Sequence, residues 1–175
     1  HSTSRRQRQM CIRDRIKSLH KKYSVIALGW NRPQNREENH DQVLNIDRLN
    51  LHAPYGFERY GRIKLAAYFP IFWTWVFFKL CVHRPKIVHA CDLATILPCF
   101  IYKFLFRKKL VFDVLDRYGM TYVPKYGNRF FQLLHSLVNS IEENFATKSD
   151  VLMVVSEKIF LTFRYKPKNS VIIMN

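Results

Sequence analysis

Ionisable side chains gather where two short apolar runs end. Lys86-Ile-Val-His-Ala-Cys-Asp92 passes from the β-branched pair Ile87-Val88 into His89, Cys91 and Asp92, and an apolar segment follows at once. Leu110-Val-Phe-Asp-Val-Leu115 carries Asp113 and ends at Asp116. A buried strand that breaks into polar residues just before a helix is the pattern of an open α/β sheet, whose ligands bind outside the carboxyl ends of the strands. His83, His89, Cys91 and Asp92 match no metal-site spacing, and one helix could not present them together, so no metal is expected.

The elements that would position these groups follow along the chain. Residues 15–22 read as the last turns of a basic-faced helix, and residues 23–29 as a buried strand that turns off through Gly29-Trp-Asn-Arg-Pro33. Residues 43–49 alternate like a short strand, and residues 52–62, with two Gly and one Pro, read as a loop. Residues 65–78 have no charge and are crowded with aromatics, among them Phe69, Phe72, Trp73, Trp75, Phe77 and Phe78. A membrane span needs ~20 apolar residues, and this run stops at Lys79 and contains Pro70, so a buried or surface-lying helix is expected. Its basic flanks suit a membrane interface, and packing against a sheet suits it equally well. Behind Asp92, a favourable N-cap residue, residues 93–106 form an apolar helix interrupted by Pro98. A strand over 110–115, a helix over 128–148, a strand over 151–155, a short helix capped by Ser156 and a strand over 170–174 complete the order. Continuous apolar strands alternating with helices predict an α/β fold, a doubly wound parallel sheet with helices on both faces.

The length of 175 residues suits one domain, and the formal charge of +16 calls for an anionic partner. Arg5-Arg-Gln-Arg-Gln-Met-Cys-Ile-Arg-Asp14 resembles, residue for residue, a translated transposase adaptor from sequencing libraries. Residues 1–15 are therefore set aside as a non-native segment, and residues 16–175 are read as the domain. Without the five Arg and one Asp of that segment the charge is still +12. The four cysteines lack CxxC spacing and are expected to be reduced thiols. GxGxxG, P-loop and GxSxG motifs are absent, which sets aside the dinucleotide, P-loop and common serine-hydrolase classes. Lys and Arg are spread over helix ends and loops rather than gathered on one recognition element, so nucleic acid is not the expected partner.

Five blocks in order carry a family resemblance. They are Tyr23-Ser-Val-Ile-Ala-Leu-Gly-Trp-Asn-Arg32, Arg84-Pro-Lys-Ile-Val-His-Ala-Cys-Asp-Leu-Ala-Thr-Ile-Leu-Pro98, Lys109-Leu-Val-Phe-Asp-Val-Leu-Asp116, the pair Ile141-Glu-Glu and Ser149-Asp-Val-Leu-Met-Val-Val-Ser156, and Lys166-Pro with Val171-Ile-Ile-Met-Asn175. Residues 15–175 thus resemble the N-terminal, Rossmann-like domain of a family 4-like glycosyltransferase of the GT-B type. The resemblance implies an acceptor-binding half whose first strand lies upstream. A C-terminal domain would bind the nucleotide-sugar donor, and the fragment alone would be inactive, with no cofactor of its own. The expected reaction of the intact enzyme is sugar transfer to an acceptor hydroxyl, on a lipid-linked or cell-envelope glycan. The expected setting is cytoplasmic, peripheral on the inner face of the plasma membrane. A basic nucleic-acid- or membrane-binding module without catalysis, and a GT-B sugar-nucleotide epimerase, remain open beside it.

By this resemblance His89, Asp92, Asp113, Asp116 and Ser156 line the acceptor site, and Trp30, Arg32 and Asn175 the interdomain cleft. His89, the best catalytic candidate, would position a hydroxyl or phosphate, or else simply be buried in the turn. Asp92 reads more readily as a helix cap, and Asp113 or Asp116 would bond acceptor hydroxyls. Many relatives have His where this chain has Leu115, which weakens an acid–base role there. Cys91 and Cys99 read as packing.

Overall fold

The computed structural model describes residues 5–31, 46–50, 59–122 and 128–173. The order is α1 (Arg5–His20), β1 (Ala27–Asn31), β2 (Ile46–Asn50), α2 (Arg59–His83), β3 (Ile87–Cys91), α3 (Leu93–Phe106), β4 (Lys109–Val114), α4 (Tyr118–Tyr122), α5 (Arg129–Lys148), β5 (Val151–Val154), α6 (Glu157–Leu161) and β6 (Ser170–Ile172). All strand pairs are parallel, and helices flank them, so the α/β class holds. Among the described residues the strands form two sheets rather than one: β1-β2 and β3-β4-β5-β6.

Alternation along the strands creates the core. Val88 and Ala90 stand in register with Leu110 and Phe112, and Phe112 and Val114 with Leu152 and Val154. These side chains share one face of the four-stranded sheet and are buried with Ile96, Cys99 and Tyr102 of α3. The intervening positions, His89, Cys91, Val111, Asp113 and Met153, lie on the opposite face.

The aromatic helix α2 mostly serves this core. Phe72, Val76 and Leu80 are buried, and Phe69, Trp73, Trp75 and Phe77 pack against the cluster. Trp73 also repairs a defect. Pro98 has no N–H to offer the Ala94 carbonyl one turn back, and the Trp73 indole N–H donates to that oxygen instead at 2.8 Å. No helix among the described residues is long and apolar enough to cross a membrane.

Several boundaries differ from the expected ones. β1 begins at Ala27, because its partner begins at Ile46 in register with it, and Gly29, Trp30 and Asn31 belong to the strand rather than to a turn. α2 runs back to Arg59 through part of the expected loop, since a 25-residue helix tolerates Gly61 at a cost of about 1 kcal/mol. The helix whose last turns were expected over residues 15–22 ends at His20 and begins at Arg5, inside the segment set aside. Residues 43–45 of the predicted second strand lie outside the described residues.

Behind the end of β4 sits an ion pair that the sequence analysis did not anticipate. Arg117 Nε donates to Glu142 Oε2 at 3.1 Å, Nη2 to Asn139 Oδ1 at 3.3 Å, and the guanidinium lies 4.0 Å from the Phe163 ring centre. Tyr118 N–H closes the second Glu142 oxygen at 2.7 Å. Both charged groups are almost fully buried. Burial pushes the Glu142 carboxyl above its ordinary range, against the opposing pull of Tyr118 N–H and Arg117. The pair ties the β4 end to α5. Gly119 completes the fit: a Cβ there would meet Asn139 Oδ1 at 2.2 Å.

At the other end of the sheet Asp150 accepts from Leu110 N–H at 2.9 Å and pairs with Lys103 and Lys109. Burial pushes its carboxyl up, but these partners together outweigh that and hold it at about 2.

Removing one partner of a buried pair strands the other. Glu142→Ala is expected to cost about 3–5 kcal/mol in urea unfolding, whereas Glu143→Ala, at the rim of the same cluster, should cost under about 1 kcal/mol. Equal losses would show that Arg117 does not depend on Glu142.

Candidate functional site

The parallel register of β3 and β4 assembles the site. Cys91 stands opposite Asp113, and His89 lies two residues earlier on the same face. His89 Nε2 donates to Asp113 Oδ2 at 3.0 Å, and Asp113 is fully buried. Arg15 of α1 also bonds Asp113 Oδ2 through Nη1. The last residue of the segment set aside is thus the counter-ion of the site's central carboxylate. Asp113 Oδ1 and Arg15 Nε and Nη2 are buried and find no hydrogen-bond partner among the described residues. Leaving such atoms unmatched is costly, which marks the pair as unusual among the buried polar groups of a folded protein.

Asp92 is where the backbone is most unusual. It has φ 62° and ψ 172°, a region that costs a non-glycine residue roughly 1–3 kcal/mol. Its N–H bonds Asp113 O at 2.8 Å, and its carboxylate Oδ1 accepts from Leu115 N–H at 2.8 Å and Asp116 N–H at 3.4 Å. The expected capping role is therefore corrected. The side chain makes no cap bond to α3, because it is committed across the sheet to the turn that ends β4. That commitment joins the ends of β3 and β4 and holds Asp116, itself buried, beside them.

His89 stays neutral. Burial, reinforced by the positive charge of Arg15, lowers its pKa from 6.5 to about 4. A neutral ring that donates through Nε2 leaves Nδ1 as an acceptor. It can orient a hydroxyl and is too weak a base to hold a proton near neutrality. Burial, with Asp92's charge adding to it, pushes the Cys91 thiol up to about 12, and burial does the same for Cys99. Neither is a nucleophile, and both read as packing.

Donor atoms of His89, Cys91 and Asp113 all lie within 4.8 Å of one another, so among the described residues this trio, not the set containing His83 and Asp92, is the one that could hold a metal ion. A metal there would have to deprotonate the Cys91 thiol and displace Arg15 from Asp113.

The remaining candidates are placed elsewhere. Ser156 caps α6, its Oγ accepting from Ile159 N–H at 3.3 Å. Trp30 stacks on Phe72 with centroids 5.3 Å apart and meets Phe69 edge-on, so its ring is core packing rather than a cleft wall. Arg32 and Asn175 lie outside the described residues. Sequence reasoning missed Arg117 and Glu142. The available signal was Glu142 itself, a charge four residues after Val138 on the apolar stripe of α5.

The pH dependence follows from His89. The unfolded chain takes up a proton near pH 6.5 and the folded chain only near pH 4. Stability should therefore be level above pH 6.5 and fall by roughly 3 kcal/mol in all as pH drops to 4. His89→Phe should flatten that slope. Arg15→Ala removes the nearby positive charge, so the His89 titration followed by NMR should move up from about 4; an unmoved midpoint would mean that burial alone sets it. No protein-family model matches the chain, and no curated protein sequence matches it either.

Proposed function

We propose that this chain is the acceptor-side domain of a GT-B type glycosyltransferase that moves a sugar from a nucleotide-sugar to an acceptor hydroxyl. The observation that carries the reading is the His89–Asp113 pair on adjacent parallel strands, with Asp113 near the carboxyl end of β4 and bonded to the strained Asp92. An imidazole that donates to a buried carboxylate has its ring fixed and its other nitrogen free to orient an acceptor hydroxyl. Asp113 and Asp116 supply the carboxylate chemistry that polyols require. The donor nucleotide would be held by a second domain, which would also stabilise the diphosphate leaving group. A lipid-linked or cell-envelope glycan as acceptor, and residence on the inner face of the plasma membrane, belong to this proposal and rest on the resemblance and the positive charge. The basic charge also supports a second reading, a binding module without catalysis.

The test uses the protein encoded by the uninterrupted reading frame. Incubated with a panel of labelled nucleotide-sugars and a membrane extract as acceptor source, it should transfer label. His89→Ala should lower kcat/KM for the acceptor about 100-fold, the order expected when a positioning group is lost, and leave the donor KM unchanged. A frame without a second Rossmann-like domain, together with no transfer from any donor, overturns the reading.

A further inference from the structure

In a parallel α/β arrangement the strands all start at one end of the sheet, and the helices that feed them finish there. In this protein that end is basic. α2 finishes at His83 and is followed by Arg84 and Lys86; α3 finishes at Phe106 and is followed by Arg107, Lys108 and Lys109; α5 finishes at Lys148. The carboxylates of the candidate site, Asp92, Asp113 and Asp116, all belong to the opposite half of the strands or beyond. Two acidic groups lie among the basic ones, and both are already paired: Asp150 with Lys103 and Lys109, and Asp47 with Lys79 and His83.

Two features at the basic end go beyond charge. Arg84 and Arg107 follow the last turns of α2 and α3 with φ of 49° and 52°, the left-handed conformation in which glycine normally ends a helix. The backbone bonds fit that type of ending: Arg84 N–H donates to Leu80 O and Arg107 N–H to Lys103 O. An arginine stands at both helix ends, where glycine would be less strained. Beside them the apolar side chains are outward. Phe104 is 77% exposed and Leu105 59%, with Phe106 beyond them and Phe78 and Val82 exposed on the last turns of α2. An open hollow of about 500 Å³ is lined by Phe100, Phe104, the cations Lys103, Arg107, Lys108, Lys109 and Lys148, and the carboxylate of Asp150, which Lys103 and Lys109 already neutralise.

We infer that this basic end is a docking surface for an anionic phospholipid bilayer. Its cations face the headgroup phosphates, the hollow admits one such phosphate, and Phe104, Leu105 and Phe78 enter the acyl boundary. A cationic face with projecting aromatic and aliphatic side chains is the composition that interfacial binding requires. Nucleic acid shares the charge preference, but Leu105 and Val82 offer bases no ring to stack on, and lipid accepts them. The inference gives a surface to the membrane part of the proposal above and needs no sugar transfer. It also relocates that surface from the aromatic middle of α2, which is occupied by the core.

The test is flotation of the 175-residue protein with vesicles of phosphatidylcholine alone or mixed with phosphatidylglycerol, at low salt. Binding should require the anionic lipid and fall as salt is raised. Arg84→Gly/Arg107→Gly relieves the left-handed backbone, so it should melt no lower than the parent, yet bind the mixed vesicles at least tenfold more weakly. Phe104→Ser/Leu105→Ser, at exposed positions, should lose binding to a similar degree. Failure of the parent to float with mixed vesicles, equal binding of the variants and the parent, or displacement from vesicles by equimolar single-stranded RNA would each overturn the inference. A protein that transfers sugar and ignores vesicles fails only this test; one that floats through this end and transfers nothing fails only the other.

Discussion

The period of two along β3 and β4 is the constraint on which the rest depends. With the strands parallel and Cys91 opposite Asp113, every apolar residue of the alternate set lands on one face and every ionisable one on the other. A slip of one residue would put Asp113 into the core beside Ile96 and Tyr102 and turn Phe112 out of it. The register is defended at both ends. Asp92 stitches the finish of β3 to the turn after β4, and Asp150 grips Leu110 N–H at the start of β4. Neither carboxylate is on the core face, and both act through backbone N–H groups that a slipped strand would fail to present.

The molecule also buries ions on a scale that its modest core must offset. Arg117 with Glu142, and Arg15 with Asp113, each take a guanidinium and a carboxylate out of water, and such pairs are poor sources of net stability. The two differ in completeness. Arg117 reaches Glu142, Asn139, Thr162 and the Phe163 ring, so its charge is well solvated by protein. Arg15 reaches Asp113 and leaves two nitrogens buried with no partner among the described residues, as Asp113 leaves one oxygen. The first is finished architecture that specifies how α5 meets the sheet. The second is buried with polar atoms still unmatched, so it is the costlier of the two.

The alternation of strand and helix was legible because β-branched runs and a 3.6-residue apolar stripe are local signals, and β3 to β6 fall within a few residues of where the sequence puts them. His89, Cys91, Asp92 and Asp113 stood out for the same reason, each following a short apolar run, but the pairing of β3 with β4 that brings His89 and Cys91 to Asp113 did not. What was not legible depends on distant partners. Asp92 looks like an N-cap to its own neighbours, and only the proximity of Leu115 shows where its carboxylate goes. Trp30 looks like a strand-end residue until α2 supplies Phe72 to stack on. Trp73 and Pro98 are each ordinary in sequence, and their connection through the Ala94 carbonyl arises from helix packing. Arg15 was excluded on the origin of its segment, a criterion that says nothing about which carboxylate a guanidinium can reach.

The polarity of the sheet has a consequence for reach. β4 is six residues long, so its first residue, Lys109, and the carboxylates past its last are about 20 Å apart. A molecule seated on its lysines and arginines would carry Asp116 that far above the phosphates, like a lamp on a post, with His89, in register with the third residue of β4, only about 7 Å above them. A sugar fixed directly to a lipid would remain below the light. For the acceptor proposed above, a hydroxyl that met Asp116 would have to stand at the tip of a chain long enough to clear the bilayer, so the height of the strand would act as a ruler for acceptor length.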